Sequence, residues 1–177
     1  MMSRIAVALG LALLLAGPIH AQRRHDPLNS LEIDQLRDAM LDPDQRLKLY
    51  VKFARDRMTK LEQMRSDPKV KDRPVQTHDM LEDFLAVYDE LNDNIDMYVG
   101  RKDDIRKVLK TVIEADTEFQ SKLRAIKDSA VLDAAEARQY EFLLTNAIET
   151  VDTSADDHRK TVGEVEEYVK RKKKTAK

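Results

Sequence analysis

The stretch THDMLEDFLAVYDELNDNIDMYVGRKDDIRKVLKTVIEADTEFQSKLRAI, residues 77–126, decides the fold. Its apolar side chains return every seven residues along two lines. Leu81, Tyr88, Ile95, Lys102, Leu109, Asp116 and Leu123 form one; Phe84, Leu91, Tyr98, Ile105, Val112, Phe119 and Ile126 form the other. Twelve of these fourteen positions are apolar, a pattern that marks the seam of a helical bundle or coiled coil.

The glycine inside this stretch admits two readings. The heptads run through Gly100 in register, and a glycine within a helix costs only ~1 kcal/mol relative to alanine, so one long rod is allowed. The run from Tyr98 to Asp104 also reads as a helix stop followed by an acidic first turn. Burial separates the two. A rod carries two thin helix pairs, whereas a turn at Gly100 lets four helices share one core. Each apolar side chain fully buried is worth roughly 1.5–3 kcal/mol, more than the glycine term. The expectation is an all-α, up-down four-helix bundle. The alternative is one long central helix with two shorter helices packed along it, coiled-coil-like and completed by dimerisation.

The flanks agree with a helical chain. No proline lies between residue 75 and the end at residue 177, and Gly100 and Gly163 are the only glycines there. Asn29-Ser30-Leu31-Glu32 offers a capping box into a short helix ending near Leu41. Asp42-Pro43-Asp44-Gln45 starts a helix that Asp67-Pro68 stops, with Leu47, Tyr50, Val51, Ala54, Met58, Leu61 and Met64 at helical spacing. Residues 69–76 read as a linker, and helices are expected over 77–99 and 101–128. Asp133-Ala134-Ala135-Glu136 supplies a further capping box for a last helix. That helix carries Tyr140, Leu144, Ile148, Val151, Ala155, His158, Val162, Val165 and Val169.

Residues 1–21 have the layout of a cleavable secretory signal: a lone Arg4, an apolar run over 5–16, then Gly17-Pro18 and Ile19-His20-Ala21. The run is shorter than the ~20 residues of a spanning helix, and no second one follows. The expected organisation is a signal over 1–21, a polar segment with a short helix over 22–42, one bundle domain over 43–169 and a basic tail over 170–177. Cleavage after Ala21 leaves 33 acidic against 30 basic residues, so the body lacks the positive footprint of a nucleic-acid binder. The expected location is the periplasm or the cell exterior, without a transmembrane segment after cleavage.

The residue inventory removes whole classes of chemistry. Without cysteine there is no thiol catalysis, Cys-ligated zinc, iron–sulfur cluster or disulfide. Glycine poverty excludes phosphate-cradling loops and the G-x-S-x-G elbow. The residues three before His25, His78 and His158 are Gln22, Val75 and Ala155, so the Glu-x-x-His pairs of di-iron bundles are missing. His78 and Glu82 stand one turn apart but read as a solvated first-turn pair, and the methionines read as core filler. No catalytic, cofactor-binding or metal-binding set is expected, and no cofactor.

Polar residues on the seams are more selective. An antiparallel hairpin centred near residue 131 puts Lys102 within a turn of His158 and Asp116 near residues 145–149. Lys102, Asp116 and His158 are therefore the candidates for a polar core site, set against a purely register-fixing role. Lys170, Arg171, Lys172, Lys173 and Lys174 are candidates for contact with an anionic envelope surface, set against a helix end that complements its dipole. The functional expectation is a non-enzymatic exported bundle acting as an interaction, scaffold or chaperone-like module of the cell envelope, with a protein partner and a homodimer among its assemblies. The alternative is a cofactor or metal carrier with its site in the bundle core.

Overall fold

A computed structural model of the chain describes residues 26–130 and 134–175. The expected signal over 1–21, His25 and the capping residue Asp133 lie outside these residues. Six helices and no strand occur among the described residues: α1 (Ser30–Asp38), α2 (Pro43–Ser66), α3 (Arg73–Gly100), α4 (Arg106–Ala130), α5 (Ala134–Ala137) and α6 (Glu141–Thr175). The four long helices form the bundle expected from the heptads.

Local chemistry sets most boundaries. The Asn29 side chain accepts from the Glu32 amide at 3.0 Å while the Glu32 carboxylate accepts from the Asn29 amide at 2.9 Å. α1 closes at Asp38, not near Leu41, and leaves Leu41 in the following turn, 91% exposed. Asp42 caps α2 by accepting from the Gln45 amide at 3.0 Å, with Pro43 in the first turn. α3 begins at Arg73, inside the expected linker, because Pro74 fits a first helical turn that has no partner for its missing N–H. The last helix does not run on from residue 134. Tyr140 turns inward, 1% exposed, and the chain breaks into α5 and α6 around it.

The turn after α3 settles the rod question. Lys102 N–H donates to the Val99 carbonyl at 2.9 Å and Asp103 N–H to the Tyr98 carbonyl at 3.0 Å, the paired bonds of a Schellman cap. The left-handed residue of that cap is Lys102, with φ of 63°, and Gly100 stays helical. Lys102 therefore leaves the seam for the surface. The other heptad positions behave as expected: all twelve apolar ones are buried, and so is Asp116.

Helix directions alternate along the chain, but the order around the core does not follow it. α2 packs along α3 and α4, and α6 packs along α4 and α3. α3 and α4 consequently face one another across the core, joined by residues 101–105. Cross-ties show the alignments: Arg55 to Glu118 and Lys122 to Glu62 join parallel α2 and α4, and Asn92 to Ser154 joins parallel α3 and α6. Phe84, Tyr88 and Phe119 meet at the centre, with ring centroids 5.1–6.0 Å apart.

Candidate functional site

Asp116 is the fully buried carboxylate at the middle of α4. A charge there needs partners, and two helices supply them. Tyr88 on α3 donates its hydroxyl to Oδ1 at 2.8 Å, and His158 on α6 is hydrogen-bonded through Nδ1 to Oδ2 at 2.8 Å. His158 is itself buried. Burial, then the neighbouring Asp116 charge, pushes the Tyr88 phenol far above its ordinary value of 10. Tyr88 therefore stays a proton donor and cannot act as a base. The cluster ties α3, α4 and α6 together at one level.

Two of the three expected polar residues thus meet, and the third does not. Lys102 is exposed in the α3–α4 turn, with Nζ 5.7 Å from the centroid of the Tyr168 ring. The hairpin register explains this. α5 and the turn at residues 138–140 lengthen the α4–α6 connection, so the hairpin centres near residue 136, as Gln120 to Asp152 and Asp116 to His158 show. The same shift puts Asp116 opposite His158 instead of residues 145–149. Lys170, Arg171, Lys172, Lys173 and Lys174 continue α6 as exposed helix beyond Val169, the last apolar residue packed on the core.

Sequence reading missed a second buried charge. Arg57 on α2 holds Glu32 on α1 through two bonds of 2.6 Å, Nη1 to Oε1 and Nη2 to Oε2, and Nη2 also donates to the Pro27 carbonyl. Both residues are buried. Burial pushes the Glu32 carboxyl up, but the Arg57 hydrogen bond, the Asn29 amide and the Arg57 charge outweigh it and hold the group below its ordinary value. The signal was available: Arg57 lies on the inward line between Ala54 and Leu61. A cavity of about 460 Å³ adjoins the pair, lined in part by Asp26, Lys60, Met80 and Asp83.

Two further arginines act as ties. Arg46 donates to Asn94 Oδ1 (3.0 Å), the Leu36 carbonyl (2.8 Å) and the Tyr50 hydroxyl (3.3 Å), joining α1, α2 and α3. Arg65 donates to Thr77, Tyr140 and Ser129 at the opposite end. His78, Asp79 and Glu82 bring one ligating atom each within 4.8 Å of one another, on the half-exposed to exposed face of the start of α3.

No protein-family model, curated protein or solved structure matches the chain. Among the described residues no helix is long and apolar enough to cross a membrane.

Proposed function

We propose that the protein is a non-enzymatic exported helical module that holds a protein partner in the cell envelope. The observation that carries this reading is the end of the bundle where α2 starts and α3 stops. Arg46 bonded to Asn94 puts those termini together, so the exposed side chains of Met40, Leu41 and Met97 share one end of the molecule. Unpaired apolar side chains beside charged ones suit a partner surface. Lys170, Arg171, Lys172, Lys173 and Lys174 project from the same end and add a contact for an anionic surface. Within the bundle, Tyr88 and His158 bond to Asp116, and Arg57 bonds to Glu32.

The test starts from the chain expressed with residues 1–21 and recovered from the exported fraction. A mass beginning at Gln22, a cross-linked partner that rebinds when both are purified, and weaker rebinding by Met40→Ser/Leu41→Ser support the reading. An unprocessed chain, or a mature chain that neither rebinds a partner nor slows aggregation of an unfolded client, overturns it.

The carrier reading draws on one observation, the convergence of a phenol, a carboxylate and an imidazole at Tyr88, Asp116 and His158. A native mass spectrum of the exported chain separates the two readings: an extra mass lost in Asp116→Asn favours the carrier.

A further inference from the structure

The α3–α4 turn combines three features that nothing in a simple bundle requires. The heptad lines cross it without a change of register: Tyr98 and Ile105 are buried seven residues apart on either side, as are Ile95 and Leu109 two heptads apart. The turn contains no proline, and its glycine keeps a helical φ. A lysine, Lys102, is forced into the left-handed region at φ 63° where glycine is the usual occupant. Straightening residues 101–105 would therefore relieve a strained residue and fuse α3 and α4 into one helix with a single apolar stripe.

We propose that this turn is a hinge through which two copies of the chain exchange halves, and that Lys102 opposes the exchange. Contacts across the core fix the geometry. Tyr88 meets Asp116 and Phe84 meets Phe119, so α3 and α4 pair antiparallel about a centre at residue 102. If α3 of one copy pairs instead with α4 of the other, the same contacts form between two long helices that cross at residue 102. Each copy keeps its own α2/α3 pair and its own α4/α6 pair, and the assembly closes with two-fold symmetry. In that dimer Lys102 returns to the heptad line and lies at the two-fold axis, against its own counterpart. Two like charges at a seam disfavour the dimer, while the Schellman cap and the Lys102 contact with Tyr168 hold the closed monomer.

The chain has no cysteine, so two introduced thiols carry labels cleanly. Val75→Cys and Lys127→Cys put donor and acceptor dyes at one end of the closed monomer. A straight helix separates them by about 78 Å at ~1.5 Å per residue. A small amount of doubly labelled protein is refolded with excess unlabelled protein at a few hundred micromolar, and the mass of each species is read by light scattering. Lys102→Leu is expected to raise the dimer fraction on the order of tenfold. Energy transfer is expected to persist in the monomer peak and vanish in the dimer peak. Lys102→Gly, which removes both the charge and the strain, is expected to fold as a tighter monomer and gives a control that does not depend on the leucine variant. Raising the salt concentration should increase the dimer fraction of the unmodified chain. A dimer that retains energy transfer overturns the exchange. So does a Lys102→Leu chain that stays monomeric at these concentrations. A dimer fraction of the unmodified chain indifferent to salt overturns the role of the lysine.

Discussion

Arg57 and Glu32 face one another with both pairs of polar atoms at 2.6 Å, and this ion pair fastens α1 to the bundle. Removing one partner strands the other. Glu32→Gln should cost about 3–5 kcal/mol, because an uncompensated guanidinium is left buried. Urea unfolding of the variant checks the figure, and a loss below about 1 kcal/mol would show that water reaches Arg57.

The same pair gives the stability a pH dependence of definite sign. The folded-state value of Glu32 lies below its ordinary 4.5, so its contribution is complete above that value and is lost as the pH falls through the folded value. Glu118 shifts in the same direction, where burial is outweighed by Arg55 and Lys122, but solvent screens it more. Melting temperature should therefore fall on acidification below about pH 5. That slope should be shallower in Glu32→Gln, and an unchanged slope counts against the assignment.

At the polar core, Tyr88→Phe leaves Asp116 Oδ1 without its donor and should destabilise by about 1–3 kcal/mol. Replacing the whole cluster, Tyr88→Phe with Asp116→Leu and His158→Leu, should be near neutral or stabilising by about 1–4 kcal/mol. Denaturant midpoints decide this. A triple variant that is stable yet loses its partner would move the cluster from structure to function.

Backbone strain predicts a second set of gains. Asp72 precedes α3 with φ 52° and no side-chain cap, so Asp72→Gly should stabilise by roughly 1 kcal/mol. Gly100→Ala meets nothing within 4 Å and should add about 0.5–1 kcal/mol. Each should raise the melting temperature by about 2–4 °C for a chain of this size.

Two phenylalanines on different surfaces test the core itself. Phe119 is fully buried against Phe84 and Tyr88, so Phe119→Ala should cost about 3–5 kcal/mol. Phe142 is 88% exposed, and Phe142→Ser should change stability by less than about 0.5 kcal/mol. Calorimetry on both variants reads the contrast directly.

Repetition is what made the bundle legible. Heptad spacing reports which face is buried, so it found Tyr88, Phe84 and Phe119 and flagged Asp116 and His158 as polar intruders. Capping chemistry is local, so Asn29 with Glu32 and Asp42 before Pro43 were also readable. Contacts between helices are another matter. The pairing of Lys102 depends on the length of the α4–α6 connection, which Tyr140 alters by turning inward. Arg57 at least falls on the inward helical line, but Arg46 and Arg65 look like surface charges in sequence, since nothing local says that each will find three acceptors. Burial of an arginine is decided by partners tens of residues away.

The connection over residues 101–105 carries one more implication. Each side of it is a contiguous stretch whose main packing partner lies within the same stretch, α2 with α3 and α4 with α6. Most contacts are therefore short in sequence separation, which favours rapid folding of each stretch before the two dock. The covalent link contributes chiefly by keeping the two stretches at a high effective concentration, on the order of millimolar for a short tether. A polypeptide severed at Lys102 should therefore reassemble from its two fragments, with an affinity that measures the central interface free of the chain that joins it.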